Sequence, residues 1–145
     1  RLFSAHVLVH VQALVALLHK KQNLSEPELL IAKNMNWIPL NSSETLEQLI
    51  NLSQQKPQVI FKHSTRCSIS SMAKSRLEKS PAPEEASFYY LDLLSYRQLS
   101  NSVAELFGVE HESPQILMIK DGKCVYDESH TGINMNEIIE QLQLN

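Results

Sequence analysis

The stretch that most restricts how this chain can fold is "QILMIKDGKCVYDES", residues 115 to 129. Two runs rich in β-branched and aromatic residues flank Asp121-Gly122, a pair that supplies the positive φ angles of a tight two-residue turn. They read as a hairpin with strands at 115–120 and 123–129, and hairpin strands are antiparallel. Upstream, short apolar runs alternate with helical patterns. "QVIFKHS" (58–64) and "SFYYLDL" (87–93) read as strands. Between and around them, "NSSETLEQLINLSQQ" places Leu46, Leu49 and Ile50 on one face, with Leu52 at its margin, behind a Ser43 cap, giving a helix over about 44–54 that Pro57 ends. "SISSMAKSRLEK" (68–79) is a second helix, closed by "SPAP". "YRQLSNSVAELFG" is a third, with Gly108 as its C-terminal cap, and "NMNEIIEQLQL" (134–144) a fourth.

Strands joined through a helix are parallel with a right-handed crossover, whereas the hairpin is antiparallel. The order therefore specifies an α/β domain with a mixed four-stranded sheet flanked by helices, with "NWIPL" as an optional short N-terminal strand. That arrangement is the core of the thioredoxin fold. It occupies residues 35–145, and 145 residues are enough for one domain with an appendage. Residues 1–34 form the appendage, whose own charge is +2 (four Lys/Arg against two Glu) in a chain of net charge -3. The spacing Phe3, Val7, Val11, Leu14, Leu18 reads as an amphipathic helix, and "SEPE" at 25–28 as the capping box of a second one. The run at 7–18 is interrupted by His10 and Gln12 and is well short of the roughly 20 apolar residues a bilayer crossing needs. An extension packed on the domain, or translated sequence upstream of a start at Met35, is expected ahead of a membrane-surface or partner-binding element.

The charge balance, without a block of like charges, argues against nucleic acid or an anionic membrane as partner. Two cysteines, Cys67 and Cys124, are too few for a disulfide scaffold or a structural zinc site. A cytoplasmic protein is expected, with no metal, as a monomer or weak dimer. The chemistry concentrates in "FKHSTRCSISSMAK" (61–74), where Cys67 falls between a strand and the first turn of a helix. The unpaired amides there, those of Ile69 and Ser70 above all, and the helix dipole favour a negative charge on sulfur. Cysteines so placed have pKa values lowered from about 8.5 to as little as 3.5–7.5. Arg66 adds a neighbouring cation, and Lys62 and His63 lie on the strand leading in. A partly ionised, exposed thiolate is expected, with the polar flanks speaking against a buried structural cysteine.

Ser70 stands where a CxxC motif has its second cysteine. Its hydroxyl can donate a hydrogen bond to the thiolate but cannot resolve a mixed disulfide. Ser113-Pro114 precedes a strand antiparallel to the one ending at His63, so a cis peptide is expected beside Cys67, with the Ser113 backbone exposed to an extended substrate segment. "SHTGI" (129–133) should end near Cys67, bringing His130, Thr131 and Gly132 to the site. Gly132 would allow close approach of backbone or ligand. His130 and His111 would tune the thiolate or bind an acidic group, with His111 the better candidate for a plain surface histidine. Cys124, six residues of about 3.3 Å along its hairpin, falls about 20 Å from that end of the sheet, beyond the 7 Å a disulfide allows between Cα atoms.

With "HSTRCSIS", Ser113-Pro114 and "SHTGI" in hand, residues 35–145 resemble the monothiol bacilliredoxins of the YtxJ type. The resemblance implies a thioredoxin fold with a TCPIS-like site, whose lone cysteine removes bacillithiol from proteins modified under oxidative stress. Carried over, Cys67 is the nucleophile and Ser70 the serine of the motif; Arg66 replaces the threonine before the cysteine and Ser68 the proline after it. It implies no cofactor beyond bacillithiol or a similar small thiol as co-substrate, and bacillithiolated proteins or small-thiol disulfides as partners. The competing readings are a non-catalytic redox sensor or stress-response binding module, and more remotely an arsenate-reductase-like enzyme. The last lacks arginines for an oxyanion cradle, since among Arg66, Arg76 and Arg97 only Arg66 is near the site in sequence.

Overall fold

A computed structural model describes residues 35–145. The two helices expected between residues 1 and 34, and that segment's relation to the domain, lie outside the described residues. The described chain runs β1 (Trp37–Pro39), α1 (Ser43–Leu52), β2 (Gln58–His63), α2 (Ser68–Glu78), β3 (Ser87–Asp92), α3 (Arg97–Phe107), β4 (Gln115–Lys120), β5 (Lys123–Ser129), a 3₁₀ turn (His130–Gly132) and α4 (Met135–Leu144). The sheet has five strands in the order β1-β3-β2-β4-β5, so the optional N-terminal strand forms and pairs parallel with β3. β2 is parallel to β3 and antiparallel to β4.

Alternation along the strands divides the interior in two. On one face Val59, Phe61, Ile116 and Met118 pack with Ala73 and Leu77 of α2 and Met135 and Ile138 of α4. On the other, Ile60, Leu91, Leu117 and Ile119 pack with Leu46 and Leu49 of α1 and Leu99 and Val103 of α3. β2, covered on both faces, is buried at all six positions, including its polar residues Gln58, Lys62 and His63. This places three polar side chains in the interior, where each has to find a partner.

Two details of α1 differ from expectation. Its N-cap is Ser42, extended at φ -149°, whose Oγ accepts the Thr45 N–H at 3.1 Å; Ser43 is already helical. Leu52 is 43% exposed, because a stripe through Leu46 and Leu49 continues to Ser53, four residues on, and leaves Leu52 beside it. Buried Ser53 then anchors the hairpin turn: its carbonyl accepts the Asp121 N–H and its Oγ the Gly122 N–H. Asp121 and Gly122 both have positive φ (51° and 74°), as the two-residue turn requires. Gly108 closes α3 in the left-handed conformation. Among the described residues no helix is long and apolar enough to cross a membrane.

Candidate active site

β2 ends at His63, and the chain turns through Ser64–Arg66 with the Cys67 N–H donating to the Ser64 carbonyl at 3.2 Å. Cys67 is the N-cap of α2: its backbone is extended (φ -105°, ψ 122°) and its carbonyl already accepts the Ser71 N–H at 3.0 Å. Among the described residues, no side-chain hydrogen bond caps the start of this helix. The first-turn amides, which have no partner within the helix, are therefore left to an anion at the cap position, and the helix dipole adds to the attraction. Cys67 is partly exposed between exposed Arg66 and Ser68, and Ile69 is 50% exposed. Cys67 thus combines partial exposure with a place at the helix start.

Ser70 makes no hydrogen bond to the sulfur. It is fully buried, its Oγ lies 2.6 Å from His63 Nδ1, and it accepts the Ser64 N–H at 3.0 Å. The expected hydrogen bond from Ser70 to the Cys67 thiolate is thus replaced by one into the core. Lys62 and His63, expected as cationic neighbours, do not serve as such either. Adjacent strand residues point to opposite faces, so Lys62 enters the α1/α3 face, where Nζ bonds His111 Nδ1 at 2.7 Å and Gln115 Oε1 at 3.3 Å. Burial lowers its pKa to about 8. His63 is on the α2 side, but burial and, secondarily, the Lys74 charge push it below the ordinary histidine value, with Asp92 opposing. Neutral imidazole is the form this setting favours.

The pairing of Lys62 with Gln115 brings the Ser113-Pro114 step beside the end of β2, and that peptide bond is cis. Ser113 Oγ is buried without a hydrogen-bond partner among the described residues. The pairing of Gln115 with Ser129 carries the 3₁₀ turn to the same sheet end, where the His130 N–H donates to the Pro114 carbonyl at 3.0 Å. His130 Nε2 lies 3.6 Å from Glu112 Oε2, and Thr131 is exposed. The close approach at Gly132 is made by the chain itself: a Cβ there would come within 2.4 Å of the Glu128 carboxyl carbon. Glu128 occupies that space, its Oε1 accepting the Ser129 N–H at 2.8 Å.

A model of the family described as monothiol bacilliredoxin BrxC matches residues 38–138. The chain belongs to this family. Among solved structures, a protein described as a proposed oxidoreductase with a thioredoxin fold is 30% identical, with a TM-score of 0.61 over 72% of this chain and 91% of that one. Malassezia sympodialis thioredoxin (16% identity, TM-score 0.59, 77% of this chain and 91% of that one) is similar in fold. So is Trypanosoma brucei brucei thioredoxin (12%, 0.58, 75% and 89%). Family and fold together support a thiol redox function on a thioredoxin-fold scaffold.

Cys124 pairs with Ile119 at the sheet end remote from Cys67. Its thiol bonds the Tyr126 carbonyl at 3.3 Å, and burial, then the Asp127 charge, raise its pKa to about 11. It stays protonated at neutral pH and out of reach. Sequence reasoning missed Arg76, which was set aside as remote from the site. From α2 it donates to the His130 carbonyl at 2.9 Å and to the Ile133 carbonyl at 3.2 Å, tying the nucleophile's helix to the 3₁₀ turn. No local pattern marks it, because both acceptors are carbonyls more than fifty residues away. The polar His63 inside the apolar run of β2 was the one available signal for the buried Ser70 bond. Among the described residues, no three His, Cys, Asp or Glu side chains are grouped to hold a metal ion.

Proposed function

We propose that this protein is a monothiol thiol-disulfide oxidoreductase that removes bacillithiol, or a similar low-molecular-weight thiol, from mixed disulfides on cytoplasmic proteins. One observation carries the reading: Cys67 is the cysteine at a helix start, partly exposed, while the position three residues on holds a buried hydroxyl. The Cys67 thiolate attacks the small thiol's sulfur in a protein mixed disulfide. A Cys67–small-thiol disulfide forms as the original bond breaks, and the substrate leaves as a thiolate that takes a proton from water. A second small thiol, entering as its thiolate, then attacks the small-thiol sulfur of that adduct. The small-molecule disulfide departs and Cys67 returns as thiolate, so each step exchanges one S–S bond with no net oxidation. Ser70 cannot shorten this cycle, since a hydroxyl does not displace a thiolate. Backbone groups of Ser113 beside Pro114 are suited to pair with an extended substrate segment, and Arg66 and His130 to meet acidic groups of the small thiol.

The test is incubation of the protein with a bacillithiolated protein, followed by intact-mass and peptide analysis. The expected result is an adduct on Cys67, release of the substrate's free thiol, and turnover when free bacillithiol is added, all absent in Cys67→Ser. No adduct and no released thiol would overturn the proposal; an adduct without turnover under any small thiol would make the protein a sensor.

A further inference from the structure

Beneath the first turn of α2, His63 and Ser70 form a buried pair that the exchange reaction does not itself require. A serine hydroxyl has one proton and two acceptor positions. At Ser70 one acceptor position takes the Ser64 N–H, and the contact to His63 Nδ1 is 2.6 Å. In the neutral Nε2–H tautomer of His63, Nδ1 accepts the Ser70 hydroxyl proton. The ring is held in place: Phe61 stacks on it at 5.6 Å and Tyr90 lies at 5.5 Å. His63 is only 4% exposed.

Cys67 and Ser70 occupy the N-cap and third helical positions, the two between which side chains and backbone exchange hydrogen bonds in a capping box. Two acceptors lie around this helix start: His63 Nδ1, in direct contact with Ser70, and the Cys67 sulfur at the cap, to which the hydroxyl makes no hydrogen bond in this structure. A protonated imidazole donates from both nitrogens. Ser70 Oγ would then accept from His63 as well as from Ser64, filling both acceptor positions and freeing its proton for Cys67. The charged or titratable groups facing His63 are Lys74 and Glu78 on α2 and Tyr90 and Asp92 on β3; Lys74 opposes its protonation, and Asp92 and Glu78 favour it. Lys62, next in the chain, faces the other side of the sheet.

We propose that His63 is a positioning residue: neutral, it holds the Ser70 hydroxyl in the core, and protonated, it releases that hydroxyl to hydrogen-bond the Cys67 sulfur. This rests on Cys67 being the reacting thiol. The reactivity of Cys67 then carries the titration of His63.

The experiment is the rate of Cys67 modification by dipyridyl disulfide, a probe that reacts in acid, between about pH 4 and 9. It is run alongside an NMR titration of the His63 ring in the same protein. Wild type is expected to show an inflection below pH 6.5, coincident with the His63 titration. Its size should be about threefold to tenfold, the worth of one hydrogen bond. His63→Gln, which can accept from Ser70 but cannot titrate, and Ser70→Ala should each remove that inflection while still forming the Cys67 adduct. A wild-type profile without that inflection, or one unchanged in Ser70→Ala, overturns the proposal and leaves the exchange reaction standing. A Cys67 that forms no adduct in any of these proteins overturns the functional reading instead. If His63→Gln does not fold, the wild-type titration and Ser70→Ala decide the question.

Discussion

Among the described residues, Lys62 is a buried amine with no carboxylate beside it, and its bonds go to His111 and Gln115. Its folded pKa of about 8 lies below the ordinary 10.5, so between these values the unfolded chain binds the proton that the folded chain has released. Stability rises with pH wherever the unfolded state binds more protons. Lys62 thus weakens the fold most below pH 8 and ceases to do so as pH climbs to 10.5. Lys62→Met should be more stable than wild type near neutrality, by at most about 3 kcal/mol at 1.36 kcal/mol per pKa unit. That advantage should shrink between pH 8 and 10.5, as measured by urea unfolding of both proteins. Parallel pH dependences in the two proteins would show that Lys62 does not titrate in this way. The residue's type was plain in the sequence, but its partners were not: strand alternation alone says that Lys62 and His63 part company, not which of them faces α2.

Arg76 shows the same at the scale of elements. One guanidinium joins α2 to the turn that leads into α4 by donating to two backbone carbonyls. Hydrogen bonds from a charged donor are worth about 1.5–3 kcal/mol each, and Arg76 is part-buried. Arg76→Ala should therefore lower stability by about 1–3 kcal/mol, less than the full sum because water replaces part of the loss. It should also speed amide exchange from His130 to Ile133, measured by hydrogen–deuterium exchange. Unchanged exchange there would mean that the Pro114 contact to the His130 amide suffices to hold the turn. The elements themselves were readable because their signals are local. Asp121-Gly122 fixed the hairpin and Gly108 the end of α3, each through a positive φ. The α1 cap moved from Ser43 to Ser42 because two adjacent serines are equivalent in sequence, and only the backbone angle distinguishes them.

At the scale of the molecule, the antiparallel pairing of β4 with both β2 and β5 sets Cys67 and Cys124 at opposite ends of the sheet. Treatment with an oxidant such as diamide should accordingly yield adducts or intermolecular disulfides, and no monomer lighter by two hydrogens with Cys67 joined to Cys124. Finding that internal disulfide by peptide mapping would require the sheet to open. The same pairing carries the cis Ser113-Pro114 bond and the 3₁₀ turn to the Cys67 end, as the element order implies.

The sequence by itself determined the order of strands and helices, the hairpin, the placement of Cys67 at a helix start and the remoteness of Cys124. Turn chemistry, hydrophobic period and chain length act over a few residues or follow from topology. The tertiary structure alone decided where the buried polar groups point: Ser70 to His63, Lys62 to His111 and Gln115, Arg76 to the turn, Glu128 into the space over Gly132. A buried donor or acceptor must find a partner wherever packing supplies one. For Lys62 and Arg76 that partner is 49 to 57 residues away, beyond the range of any local pattern.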